Sequence, residues 1–134
     1  MALRITTRDD QPPTTVSGIR DLDDILNAAS EKARSGSRLN GLVVEADNGN
    51  RLLVVVGSEE TVLVFNDGGP NPQYYASKGS SSDADPIFTC YITGQHHTEF
   101  LRRNVISYAD GLQAAREFLE SNALPVCITW EAAS

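Results

Sequence analysis

The feature that most constrains the fold of this chain is a tight-turn signal between two strand-forming runs. Residues 47–50 read Asp-Asn-Gly-Asn, and Asn-Gly is the strongest short-range signal for a β-hairpin because such turns need positive φ angles. The runs on either side, residues 42–44 and 52–56, consist of Leu and Val, and Val favours strands. A Gly-Ser turn at residues 57–58 leads into a third apolar run at 61–65. The sequence therefore predicts a three-stranded antiparallel meander.

Two segments with helical periodicity flank this β region. The first helix is predicted from Ile19 to a stop near Gly36, and the second from Ser107 to Asn122. Ser107 is a favourable N-cap with Asp110 three residues later, and Asn is a common left-handed residue at a helix end. Apolar residues recur at spacings of three and four in both segments. The two stripes are Ile19, Leu22, Ile25, Leu26 and Ala29, and then Leu112, Ala115, Phe118 and Leu119.

Further short strands complete the predicted fold. Residues 3–7, 74–76, 87–93, 96–100 and 126–130 are the candidates, and the Pro-containing stretch at 11–15 is predicted to be a linker. The chain of 134 residues suits one α+β domain, 1–134, in which residues 1–16 form an N-terminal strand and linker. Two helices pack on a largely antiparallel sheet. Phe118 and Trp130 are expected in the core, and Cys90 and Cys127 are expected to be buried, reduced strand cysteines.

Charge narrows the possible partners. The formal net charge is -7, which argues against direct binding to nucleic acid because phosphate contacts need clustered Lys and Arg. Residues 41–100 hold eight acidic and two basic side chains, a net charge of -6. Two interpretations stay open: a solvated surface, or a face complementary to a basic partner. The sequence shows no signal peptide and no apolar run of membrane-spanning length, so a cytoplasmic protein without membrane contact is expected.

Catalytic motifs are sparse. His97-Thr98-Glu99 matches half of the zinc-deaminase signature H-x-E…P-C-x-x-C. The other half is absent, because Cys90 and Cys127 stand alone in the sequence. His96 and His97 are adjacent, so on a strand they point to opposite faces and do not share a metal. The sequence therefore predicts a protein that is not an enzyme and that has no cofactor and no bound metal.

Several segments, taken in order, resemble one known family. An alanine-rich helix ends in Phe118-Leu119, and Pro125 and then Trp130-Glu131 follow it. Residues 75–80 resemble an aromatic-x-Ser-x-Gly segment, and residues 22–26 and the Asn-Gly hairpin also fit. Over about residues 19–131 the chain resembles the first-numbered immunity protein family of bacterial polymorphic toxin systems. It departs from the pattern at Pro12-Pro13 and in the loop at 68–72.

The resemblance implies an immunity protein that binds and neutralises a cognate secreted toxin inside the producing bacterium. It further implies that this toxin is a cytidine deaminase acting on DNA. We expect the polar segment after Tyr74 to cover the toxin's active-site cleft, with tyrosines as anchors and acids fitting a basic groove. The expected toxin-binding residues are Tyr74, Tyr75, Ser77, Lys78, Ser80, Ser81, Ser82, Asp83, Asp85 and Glu99.

Three other functions stay open. A toxin-binding secretion chaperone or adaptor would bind the same partner outside its cleft. A small metal-dependent enzyme would use His97 and Glu99. A ligand-binding regulatory domain is the third, and the sequence offers no pocket signature for it.

Overall fold

The Asn-Gly turn lies at the centre of the structure. A computed structural model of the chain describes residues 3–80 and 88–133. Strands β3 (Asn40–Glu45) and β4 (Arg51–Val56) pair in antiparallel fashion, with Glu45 opposite Arg51 next to the turn. Gly49 supplies the positive φ of the turn, +90°, and the Asn48 carboxamide oxygen accepts a hydrogen bond from the Asn50 amide. The predicted hairpin is confirmed.

The hairpin is extended on both sides into a large sheet. The other strands are β1 (Leu3–Thr6), β2 (Thr14–Val16), β5 (Glu60–Thr61), β6 (Leu63–Asn66), β7 (Tyr74–Ser77), β8 (Phe88–Ile92), β9 (His96–Phe100), β10 (Ile106–Ser107) and β11 (Trp130–Ala133). The strand order of the sheet is β11-β7-β6-β4-β3-β1-β2, with antiparallel pairing throughout this path.

One edge of β3 is shared by two strands. Residues 43–45 pair with β1, whereas Asn40 and Gly41 pair in parallel with β8, which forms an antiparallel hairpin with β9. Separately, β5 and β10 make a two-stranded ladder. The predicted α+β fold with a largely antiparallel sheet is confirmed.

Helices α1 (Ile19–Ser35) and α2 (Tyr108–Ser121) cover one face of the sheet. Phe65 and Phe118 meet edge to face, with 6.1 Å between ring centroids. This core holds Leu22, Leu26, Leu42, Val44, Leu52, Val54, Leu63, Phe65, Ala115 and Phe118. A smaller apolar cluster is formed by Val55, Val62, Phe88, Cys90 and Val105. Because neighbouring strand residues point to opposite faces, the two clusters bury β4 from both sides.

The ends of α2 follow the sequence signals. The Ser107 hydroxyl accepts a hydrogen bond from the Asp110 amide, which caps the first turn. Asn122 ends the helix in the left-handed region at φ 57°. Its carbonyl oxygen accepts hydrogen bonds from the side-chain amides of Asn48 and Asn50 at 3.1 and 2.8 Å. The helix end is therefore fastened to the central hairpin.

Three predictions about the chain were wrong in detail. The stretch predicted as a linker ends in strand β2, which pairs with β1. The last strand begins at Trp130 rather than at residue 126, because the preceding residues form bends. Cys127 lies in that bent segment and is exposed, whereas Cys90 is buried and both thiols are free.

Trp130 is half-buried against the core, and its indole nitrogen donates to the Pro125 carbonyl oxygen at 2.7 Å. Residue 87, the predicted start of β8, lies outside the described residues.

Within the described ranges, neither helix has the length and apolar character needed to cross a bilayer.

The left-handed cap at Asn122 provides a test of the fold. A residue with a Cβ is destabilised by about 1 kcal/mol in this left-handed conformation, whereas Gly is not. Asn122→Ala should therefore unfold at lower urea concentration than Asn122→Gly, with a difference in unfolding free energy of about 1 kcal/mol. Both variants lose the same side-chain hydrogen bond to the Phe118 carbonyl oxygen, so the difference isolates the backbone. Equal stabilities would contradict the assigned conformation.

Candidate functional site

The two adjacent tyrosines of β7 have different environments. Tyr74 is 43% exposed. Tyr75 is half-buried and packs against the core, with its ring centroid 6.5 Å from that of Phe65. This alternation follows from the two-residue repeat of a strand. Tyr74 is thus the member of the pair whose aromatic face is accessible to a partner.

Ser77 has an internal role. Its side chain is 0% exposed. The hydroxyl donates to the Asn104 carbonyl oxygen at 2.7 Å and accepts from the Leu63 amide at 3.0 Å. The Asn104 carboxamide in turn donates to the Ser77 carbonyl oxygen at 2.9 Å. These bonds take Ser77 out of the set of side chains that a partner can reach.

The chain beyond Ser77 is held tightly for two more residues. The Lys78 amide donates to the Thr129 carbonyl oxygen at 2.9 Å, and the Gly79 amide donates to the Arg103 carbonyl oxygen at 2.7 Å. A Cβ at Gly79 would lie 2.0 Å from the Val105 carbonyl oxygen, so this position requires Gly. Lys78 and Ser80 flank Gly79 with exposed side chains.

The aromatic-x-Ser-x-Gly segment therefore has a structural explanation. Ser77 and Gly79 attach the end of β7 to residues 103–105, while Lys78 and Ser80 stay at the surface. The other residues expected to bind a partner in this loop, Ser81, Ser82, Asp83 and Asp85, lie outside the described residues.

Tyr74 belongs to a cross-strand row that sequence reasoning missed. The register places Arg4 opposite Glu45, Glu45 opposite Arg51, Arg51 opposite Asn66 and Asn66 opposite Tyr74. Core residues such as Leu52 and Phe65 point the other way, so this row lies on the sheet face opposite the helices. Arg4 and Arg51 contact Glu45 at 3.6 and 3.3 Å. No local pattern reveals the row, because its members come together only through strand register.

The acidic charge of the β region is partly neutralised inside the molecule. Glu45 contacts two arginines, and Arg102 donates to both carboxylate oxygens of Glu60 at 3.2 and 2.9 Å. Asp47, Glu59 and Glu99 are exposed and have no ion pair among the described residues. The negative charge available to a partner therefore comes from fewer positions than the sequence count indicates.

The two histidines contact different neighbours, and the Cys90 thiol is buried. His96 lies 2.6 Å from an Asp9 carboxylate oxygen, and hydrogen bonds from Thr93 and then His96 lower the pKa of Asp9. His97 instead stacks edge-on against Tyr91 at 5.4 Å between centroids. Burial raises the pKa of the Cys90 thiol to about 11, which disfavours the nucleophilic thiolate at neutral pH. Within residues 3–80 and 88–133, no three His, Cys, Asp or Glu side chains are grouped as metal ligands.

A family model described as "Immunity protein Imm1" matches residues 10–132. The chain belongs to the Imm1 family of immunity proteins. The match extends from just before β2 almost to the end of β11, so it covers both helices and the whole central hairpin. No curated protein matches the chain. As an Imm1 protein, it has an immunity role and a cognate toxin as its partner.

The hydrogen bonds of Ser77 generate a stability prediction. Ser77→Ala leaves the Leu63 amide and the Asn104 carbonyl without this partner, which should lower the unfolding free energy by about 1–3 kcal/mol. Urea denaturation followed by circular dichroism measures the loss. Ser80→Ala, at the exposed neighbouring serine, is the matched control and should change stability by less than about 0.5 kcal/mol. A Ser77 variant as stable as this control would show that these hydrogen bonds do not support the fold.

Proposed function

We propose that this Imm1 protein neutralises its toxin by covering the toxin's active-site cleft, and that the toxin is a cytidine deaminase acting on DNA. The observation that supports the proposal is the family match, together with an accessible aromatic residue, Tyr74, close in sequence to a backbone held by hydrogen bonds at Lys78 and Gly79. In this proposal the protein acts by binding, without catalysis, in the cytoplasm of the bacterium that makes the toxin.

The chemistry of such a target favours a cover. A deaminase that acts on nucleic acid needs an open zinc pocket and a cationic path for the phosphate backbone. A chain with a formal net charge of -7 is attracted to that cationic path, and the same charge keeps it from binding DNA itself. Glu99, without an internal ion pair among the described residues, contributes its full charge.

The proposed contact surface starts at Tyr74. Large amphipathic side chains such as Tyr anchor interfaces because they bury a wide area at small entropic cost. Lys78 and Ser80 follow on an immobilised backbone, which reduces the ordering cost of binding. Ser81, Ser82, Asp83 and Asp85 complete the proposed surface, whereas Tyr75 supports it from the core side.

Two alternatives predict different outcomes in two measurements, the toxin's activity on DNA and the zinc content of the purified protein. A secretion chaperone or adaptor would bind the toxin and leave deamination of DNA intact. A small metal-dependent enzyme using His97 and Glu99 would carry close to one equivalent of zinc after purification. Inhibition of the purified toxin by a zinc-free protein supports the proposed role against both.

The anchor is tested by Tyr74→Ala. We expect a loss of about 2 kcal/mol in toxin affinity, or roughly thirtyfold in Kd, with inhibition weakened in proportion. Tyr74→Phe, which keeps the ring, should retain most of the affinity. Gln113→Ala is the control for truncation of a surface side chain, because Gln113 is exposed on α2 and the helices cover the sheet face opposite the row that contains Tyr74. An affinity unchanged by Tyr74→Ala would remove this residue from the interface.

Electrostatic steering gives a second, independent prediction. The triple variant Asp47→Asn, Glu59→Gln, Glu99→Gln should associate with the toxin more slowly at low salt, and the difference should shrink at about 0.15 M salt. The control is Asp24→Asn, Glu31→Gln, Glu120→Gln, which removes the same charge from exposed helix positions. Stopped-flow association rates measure both. Equal slowing in the two variants would mean that net charge alone, and not the β region, steers the encounter.

A further inference from the structure

A groove separates α1 from the end of the sheet where β1 ends and β3 begins. Its volume is about 410 Å³, within the range typical of small-molecule sites. Ile25, Ala28, Ala29 and Leu39 give it a largely apolar lining, and Tyr91 from the end of β8 forms part of its wall. The lining comes from segments far apart in the sequence, which is why no sequence pattern indicates a pocket.

The groove exists because α1 presents small side chains at this level. Ala28, Ala29 and Ala33 line it, and their single methyl groups leave space beside the helix between the larger side chains of Ile25 and Lys32. The opposite wall is fixed by Asn40. Its carboxamide donates to the Thr7 carbonyl oxygen at 3.1 Å and accepts from the Gly94 amide at 2.9 Å. These two bonds connect β3 to the residue that follows β1 and to the β8–β9 turn, so they fix the backbone on this side of the cavity.

The charged groups that line the groove are all basic. Arg8, Lys32 and Arg38 contribute to it, and no acidic residue of the described ranges 3–80 and 88–133 does. The guanidinium carbon of Arg38 lies 3.4 Å from the centroid of the Tyr91 ring, and its Nη2 donates to the Gly94 carbonyl oxygen at 3.2 Å. Arg8 is paired with Asp10 at 3.0 Å. Lys32 has no ion pair within the described part of the chain.

This local chemistry is opposite in sign to the molecule as a whole. The formal net charge of the chain is -7, yet the charged residues that line this apolar cavity in the described part of the structure are Arg8, Lys32 and Arg38. An apolar body with one anionic head satisfies both parts of the groove. The free ammonium of Lys32 supplies the charge, and the stacked guanidinium of Arg38 supplies a donor already held in place.

We propose that this groove binds a small amphipathic carboxylate, with its apolar part against Ile25, Ala29 and Leu39 and its carboxylate beside Lys32. The proposal is independent of the toxin. The groove lies beside β3, whereas Tyr74 lies on β7, from which β6 and β4 separate it in the sheet. Binding is therefore measured on the immunity protein alone, and its failure leaves the toxin proposal untouched.

The experiment is a titration of the full chain with decanoate below its micellar concentration. Calorimetry should give saturable binding at one equivalent, and amide shifts in two-dimensional NMR should concentrate at Ala28, Ala29 and Tyr91. Decyltrimethylammonium, whose alkyl chain is one carbon longer and whose charge is opposite, should bind at least tenfold more weakly.

Two pairs of variants separate charge from shape. Lys32→Gln should weaken decanoate binding about fivefold, whereas Arg34→Gln, another exposed cation of the last turn of α1, should not. Ala28→Trp should abolish binding by filling the groove, whereas Asn27→Trp, at an exposed neighbouring position outside the lining, should not.

Absence of saturable binding, equal affinity for the two head groups, or equal effects in a variant and its control would each overturn the proposal. Binding of an acidic peptide with no binding of decanoate would overturn it in favour of a protein partner.

Discussion

The burial of β4 on both faces is the constraint on which the rest of the structure depends. Leu52 to Val56 are all buried, three on the helix-covered core and two towards the opposite side. A strand of this kind has no polar face, so the chain must supply two layers of apolar cover. The helices form one layer. The second comes from Phe88 and Cys90 of β8 and from Val105, which directly precedes β10.

Signals that act over a few residues predicted the fold well. The Asn-Gly hairpin, the Ser107 cap and the Asn122 stop all depend on backbone geometry that neighbouring residues determine, and all three are present. The start of the last strand and the exposure of Cys127 were not predictable in this way. An apolar run such as Val126-Cys127-Ile128 is equally compatible with a bent segment when the Pro125 carbonyl is held by the Trp130 indole.

In the candidate site too, features set by neighbouring residues follow from the sequence, whereas features set by distant contacts do not. Tyr74 and Tyr75 were both expected to contact a partner, and alternation along β7 leaves Tyr74 exposed and Tyr75 half-buried against the core. The role of Ser77 was beyond sequence reasoning, because its partners Leu63 and Asn104 are distant along the chain. Counting charges was also insufficient. Ion pairs such as those of Glu45 and Glu60 are set by register and by loop packing, and they decide which acids remain available.

The attachment of Gly79 has a consequence for how such a protein diversifies. Backbone hydrogen bonds and a position that admits only Gly hold the chain at Lys78 and Gly79, just before the polar segment of the sequence. The bonds that fasten the end of β7 therefore involve no side chain after residue 80. Under the proposed function, in which that segment contacts the toxin, folding and recognition are separable traits in one small domain. A lineage that meets a new toxin could then rewrite the segment while inheriting the scaffold unchanged.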